Sequence, residues 1–327
     1  DNIMDAMTFL QSLVVRGCGV IDASLSTNSP FQDAQSGFSK GALLFVIEST
    51  NKIPDFRNSI QEGANFNWQI SALPHTTIQP TTNLQLTSIS IPKTTPQQEL
   101  ASWVFLKFFS SPEIQAKWIR ETNTLPTKGN TIFLLNDYYS RNSAAQMTLA
   151  LINDSAMEPF VPGYDQVEKL ANETLNTILN GSEITSELTE LSLEANRILE
   201  EQIILIPEIT DPWADIDPSS QSITFWHQQD PERSAIMEEI INEFNTNNKW
   251  GIKVVPVVHQ SYGEIFQNLL PVLGTADSPS LVLAYQHHAA AFYEAGGLIN
   301  FDSLLQSTTW GLASEETEDF FDPVFKQ

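Results

Sequence analysis

Trp226, His227, Gln228 and Gln229 follow one another directly after a short apolar run. His259, Gln260, Ser261 and Tyr262 follow a second run, and Tyr285, Gln286 and His287 a third. Ser49, Thr50 and Asn51 follow a fourth, Gly41 to Glu48. Amides, hydroxyls and neutral imidazoles both donate and accept hydrogen bonds, and aromatic rings offer flat faces to C–H surfaces. That mixture suits the capture of a neutral, hydroxyl-rich solute. Trp68, beside another extended run, and Tyr164, in the rigid loop Val161-Pro162-Gly163-Tyr164, extend the set. Each has a structural alternative: Trp226 can fill a core, Tyr262 can staple its own helix, and Trp68 can pack at a chain crossing. Gln286 has the fewest structural duties, because an amide after a buried strand has little to hold.

The side chains of other chemistries are present without their frames. His287 and His288 are adjacent, so on a helix they point about 100° apart, and no Cys partner or HExxH spacing accompanies them. Carboxylates are abundant, but no pair lies at the ends of two expected strands as a glycosidase dyad requires. A P-loop and a Gly-rich dinucleotide turn are both missing from the sequence. No catalytic residue, metal or cofactor is therefore expected.

These residues must be positioned by the elements around them. Ile223 to His227 reads as a buried strand, and Asp230-Pro231 after it is an N-cap with proline at the first helical position. Ile236, Ile240 and Phe244 recur at helical spacing. Ile252 to Val258 and Leu281 to Tyr285 read as further strands, with helices over Tyr262 to Leu273 and from His288 to Glu294, the last stopping at Gly296-Gly297. This β-α-β-α-β-α order predicts a parallel sheet wound by helices, whose strands end where ligands bind. The nearly continuous apolar run of Ile223 to His227 places it centrally, between the other two strands.

The first half mixes helices with a few strands. Helices are expected over Asp1 to Val15, after the capping box Thr95-Pro96-Gln97-Gln98, after Ser111-Pro112-Glu113, over Asp165 to Leu179 and over Glu183 to Gln202. Strands are expected over Gly41 to Glu48, Asn67 to Leu73 and Leu86 to Ile91. The stretch Ile203 to Ser222 holds three prolines and little periodicity, the composition of a solvated linker in which only Trp213 is a candidate for burial.

With 327 residues, 41% hydrophobic, the chain can bury the cores of two domains. Its formal net charge of −24 repels phosphate backbones, which argues against nucleic acid. Cys18 is the single cysteine, so no disulfide can form within the chain; it reads as a small buried hydrophobe, half of a disulfide whose partner is missing here or a catalytic thiol. No apolar run is long enough for a membrane helix and no signal peptide is visible. The sequence opens inside an expected helix, so Asp1 is not expected to be a natural N-terminus.

Several stretches resemble one family, the extracellular solute-binding proteins of carbohydrate ABC transporters, relatives of the maltose- and glycerol-3-phosphate-binding proteins. ITFWHQQDPERSAIMEEIINEF (223–244) is similar to the family's opening strand and helix, Ile252 to Leu273 to its second strand and helix, and PSLVLAYQHHAAAFYEAGGL (279–298) to its third. In the first half, MTFLQSLVVRG (7–17), GALLFVIES (41–49), NWQISALP (67–74), SISIPKTTPQQELASWVFLKFF (88–109) and Ser110 to Pro126 resemble later family segments in order. The resemblance implies an α/β, periplasmic-binding-protein-like type II fold: two wound lobes joined by a hinge, with the halves permuted and a central segment of about one small lobe absent. Residues 1–202 would be the C-terminal half and contribute to both lobes, 203–222 the linker, and 223–327 the N-terminal half. Ser88 to Ile91 and the helix after Thr95 should then pack with residues 223–327. Gln327 and Asp1 should flank a gap with exposed apolar groups.

The function so implied is the substrate-binding component of an ABC importer: no enzyme, extracytoplasmic, delivering a sugar to permease subunits, with the membrane reached only through a lipid anchor outside this chain. Its contacts would be Trp226, His227, Gln228, Tyr262, Tyr285, Gln286, Ser49, Thr50, Trp68 and Tyr164. The alternatives are a carbohydrate-active enzyme of similar architecture and a non-binding fragment of a tandem binding protein.

Overall fold

The computed structural model describes residues 2–16, 30–73, 75, 82–84, 87–152, 155–157, 161, 163–200 and 211–321. Cys18, Ile203 to Thr210 and both chain ends lie outside the described residues, and with them the expected gap flanks. The fold is α/β, and the chain divides into two compact units: residues 1–80 with 161–204, and residues 81–160 with 205–327.

The second unit is built on a four-stranded sheet ordered β2-β6-β4-β5, from β2 (Thr87–Ser90), β4 (Ser222–His227), β5 (Lys253–Val258) and β6 (Leu281–Tyr285). Strand β4 lies between β5 and β6, parallel to both, as its apolar run predicts. Strand β2 adds antiparallel to β6, Thr87 opposite Tyr285. Helices cover both faces. On one, α4 (Pro96–Phe109) and α11 (Pro231–Asn247) pack Leu100, Phe105, Ile240 and Phe244 against Ile223, Phe225 and Leu283. On the other, α12 (Tyr262–Leu269) and α13 (Gln286–Glu294) pack Ile265, Leu269, Ala289 and Phe292 against Val282 and Ala284. Residues from both halves of the sequence thus share one core, and the β2–α4 segment joins the second half's sheet.

Local chemistry fixes the helix ends. Asp230 caps α11 by accepting from Arg233 N (2.9 Å), with Pro231 next, and Ser261 caps α12 through Glu264 N (3.0 Å). Pro271 cannot donate a helical hydrogen bond, so α12 stops at Leu269 and Leu270–Val272 tightens into a 3-10 turn, shorter than the expected helix. Thr95 caps α4 through Gln98 N, but the reciprocal half of the box does not form. The Gln98 amide donates instead to Ser222 O (3.4 Å), and Thr94 N donates to Glu99 (2.8 Å).

The remaining helices of this unit are α5 (Pro112–Thr122), α6 (Gly129–Leu134), α7 (Asn136–Arg141), α8 (Ser143–Ala150), α14 (Asp302–Leu305) and α15 (Ser314–Glu318). Helices α5 to α8 close over Ile119, Leu135, Tyr139 and Ala145. A short parallel pair, β1 (Thr82–Leu84) with β3 (Ser155–Met157), lies beside the points where the chain passes between units, and three-residue strands leave no periodic signal.

Of residues 211–222, Trp213 is buried as its candidacy allowed, and the stretch around it is held more closely than a solvated tether. This stretch docks onto the second unit: Trp213 is buried in the core and donates from Nε1 to Ser303 Oγ (2.9 Å), and Asp211 accepts from Thr308 N (3.1 Å). Pro218 is buried as well. An indole that can both pack and hydrogen-bond overrides the prolines' signal for a loose tether.

The first unit comprises α1 (Asn2–Val15), α2 (Pro30–Ser39), α3 (Ile53–Glu62), α9 (Tyr164–Leu179) and α10 (Ile184–Glu200). Helix α1 packs on α9 and α10, and Gln11 donates to Ile178 O (2.7 Å) at the end of α9. Helices α2 and α3 meet through Phe38 and Phe56, edge-on at 5.7 Å. Two expectations fail here. Gly41 to Glu48 and Asn67 to Leu73 form no strand: both lack helix or ladder assignment, and burial alternates along 65–73 as in a strand. The composition favours an extended chain, but a strand needs a neighbour to complete its ladder.

Candidate functional site

The carboxyl ends of β4, β5 and β6 fall on one edge of the sheet in the second unit, with the amino end of antiparallel β2 beside them. This edge gathers Trp226, His227, Gln228, Tyr262, Tyr285 and Gln286. Trp226 packs half-buried on the α12–α13 face, its ring 4.7 Å from that of His259. Tyr262 and Tyr285 face each other at 4.5 Å, and Tyr285 stacks on His287 at 5.6 Å. Phe266 stacks on His288 at 4.6 Å. The edge is thus largely walled by aromatic and imidazole rings.

Two residues differ in kind from this wall. His227 is 0% exposed and Gln286 1% exposed. Neither imidazole nitrogen of His227 and neither amide atom of Gln286 has a hydrogen-bond partner among the described residues, and His259 Nε2 is in the same position. A buried polar atom left unsatisfied costs about 1–3 kcal/mol, and such groups demand a reason when they cluster. Gln286 is the first residue of α13, two residues earlier than the spacing suggests. The neighbouring N-cap, Tyr285, supplies no side-chain cap. Its first-turn N–H groups therefore open onto the same edge.

The electrostatics keep this edge neutral. Burial pushes His227 down to about 4, with the nearby His259 adding to the effect, so the imidazole is uncharged at neutral pH. Burial pushes the Tyr262 phenol up to about 12, reinforced by Tyr285, while Thr87 on β2 pulls the other way. At the rim Asp230 pairs with Arg233 (3.5 Å), and a Glu264 carboxylate oxygen lies 3.8 Å from His259 Nδ1. Thr87 escaped sequence reasoning because the rule of parallel-strand ends ignores a strand that enters from the opposite direction. We expect a spectrophotometric pH titration to show phenols that ionise only near pH 12, and Tyr262→Phe to remove one of them. Loss instead of a phenol that ionises near 10 would contradict this burial.

The first unit holds the other candidates on three separate segments. Ser49, exposed, precedes the 3-10 turn Thr50–Lys52 and its N–H is tied to its neighbour's carboxylate, Glu48 Oε1 (2.8 Å). Thr50 lies in that turn, half-buried; Trp68 is half-buried in the irregular run 65–73; Tyr164 opens α9 after Gly163, whose φ of 80° favours glycine. Among the described residues, no three His, Cys, Asp or Glu side chains converge to hold a metal ion, and no helix is long and apolar enough to cross a membrane.

Residues 4–142, from α1 through α7, match a family model described as bacterial extracellular solute-binding protein. Proteins named as binding proteins in Brucella abortus (strain 2308) and Brucella suis biovar 1 (strain 1330) are each 23% identical over 170 residues. The aligned stretch is 51% of this chain and 40% of the relatives' length, so the chain is matched to less than half of each.

Proposed function

We propose that this chain is the solute-capturing component of a bacterial importer, binding a sugar or related neutral solute at the carboxyl edge of the β2-β6-β4-β5 sheet. The observation that carries this reading is the pair of fully buried polar side chains, His227 and Gln286, whose hydrogen-bonding atoms have no partner among the described residues, at an edge walled by aromatic rings. A neutral imidazole and an amide both donate and accept, which matches hydroxyls, and the rings match the C–H faces of a sugar. The family match over residues 4–142 supports the solute-binding class and an extracytoplasmic location.

The finer features follow the same reading. The fold is of the type II binding-protein kind with its halves permuted, residues 1–202 preceding and 223–327 following the segment 203–222. Ser49, Thr50, Trp68 and Tyr164 are the first unit's contributions. Closure of the two units on the solute is read by ABC permease subunits, and a lipid anchor outside this chain holds the protein at the membrane. Isothermal titration calorimetry against neutral mono- and oligosaccharides tests it. We expect saturable one-site binding, with the sugar recovered intact after long incubation. Cleavage of the oligosaccharides would instead favour the enzyme reading.

A further inference from the structure

Asn180 and Gly181 form the one Asn-Gly pair in the sequence, and both are exposed, on the turn from α9 to α10. Asn180 is the C-cap of α9. Its Nδ2 donates to Asn176 O (2.9 Å), and Gly181 N donates to Ile178 O (3.0 Å). Gly181 takes a φ of 105°, in the left-handed region that favours glycine, and an added Cβ would meet nothing within 4 Å beyond its chain neighbours. The space around this nitrogen is therefore open. From α1, the Gln11 amide donates to Ile178 O (2.7 Å) and to Ser182 O (3.3 Å), one on each side of the pair. Ile178 O thus serves both Gly181 N and Gln11.

We propose that Asn180–Gly181 is a self-modification site, where the side-chain amide is lost through a cyclic imide, and that the Gln11 clamp sets its rate. The Gly181 nitrogen bonds to Cγ of Asn180, the Cγ–Nδ2 bond breaks, and ammonia leaves with the proton from Gly181 N. Water then opens the imide at either carbonyl, giving aspartate or isoaspartate. Ring closure requires ψ of Asn180 to turn away from 4° and Gly181 N to leave Ile178 O. The reaction therefore runs through local opening of the turn, and Gln11 opposes that opening by holding the carbonyls on both sides. The product carries a carboxylate at the C-terminal end of α9, where the helix dipole disfavours it. Its isoaspartate form also adds a methylene to the backbone between the two carbonyls that Gln11 spans. Modification therefore loosens α1 from the α9–α10 turn.

Peptide mapping by mass spectrometry, on the full chain kept folded at mildly alkaline pH in heavy-oxygen water, tests the proposal. The acid form should accumulate at Asn180 ahead of Asn58 and Asn142, where serine follows, with heavy oxygen in both aspartate and isoaspartate. Gln11→Ala removes the clamp and should speed the conversion about five-fold, the effect of losing one net hydrogen bond on the opening. If circular dichroism shows that Gln11→Ala does not fold, Gln11→Glu carries the test, because a carboxylate of the same length cannot donate to either carbonyl. Hydrogen exchange within α1 should be faster in the modified fraction than in the unmodified one. No lead for Asn180 over Asn58 and Asn142 overturns the proposal, as does a rate that the folded Gln11 variant leaves unchanged. Equal exchange of α1 in the two fractions overturns the loosening.

Discussion

Phe105→Ala is expected to destabilise the protein by about 3–5 kcal/mol, the range for truncating a fully buried phenylalanine. Phe105 is 0% exposed on α4, and its ring meets Phe244 of α11 edge-on at 5.1 Å and Phe225 of β4 at 6.1 Å. It therefore ties a helix from the first half of the chain to a strand and a helix from the second. Urea denaturation, followed by a probe of the second unit, measures the cost. Phe133→Ala, at a site 73% exposed, should change stability by no more than about 0.5 kcal/mol. A loss below about 1 kcal/mol at Phe105 would mean that the two halves do not share this core.

The second large effect is acid sensitivity at His227. Its folded-state value of about 4 lies below the unfolded value near 6.5. Above pH 6.5 both states are neutral and the site does not affect the balance. As pH falls through 6.5 the unfolded chain binds a proton that the folded one refuses, and stability drops until the folded form also protonates near 4. The difference amounts to about 3 kcal/mol across that window. His227→Gln should flatten the stability profile there, its curve converging toward or crossing that of the unmodified protein as pH falls from 6.5 to 4. Parallel curves through the window would show that the folded imidazole titrates normally and is not buried as described. The carboxylates, which also titrate at the acid end, cancel in this comparison.

The winding of the second unit was legible because its signals agree with one another. Ile223 to His227 is apolar enough to be central, Asp230-Pro231 is a cap by its chemistry, and the apolar spacing of α11 admits one period only. The first unit was harder. Gly41 to Glu48 and Asn67 to Leu73 have strand composition, yet composition cannot supply the neighbour that makes a strand. The segment around Trp213 read as a tether because prolines and acids outweighed one indole, whereas burial of that indole with a hydrogen bond to Ser303 decides its place.

At the site, residue types at strand ends could be read directly. Their burial could not: nothing in the sequence distinguishes His227, fully buried, from Gln228, half-exposed beside it. Thr87 reaches the edge only because β2 runs antiparallel to its neighbour. Ser49 and Thr50 are expected from the end of a strand over Gly41 to Glu48 that does not form, so strand-end geometry does not place them, and Trp68 and Tyr164 lie on two further segments.

The most direct test of solute capture at this edge is calorimetric titration of the Gln286→Ala protein beside the unmodified one, using whichever neutral saccharide gives saturable heat. The Gln286 amide has no hydrogen-bond partner among the described residues, so its loss should scarcely lower the unfolding midpoint while weakening binding about ten-fold or more. Trp226→Ala should weaken the same binding by removing a ring face. Full affinity in both variants, or no saturable heat from any neutral saccharide with the unmodified protein, would contradict the account.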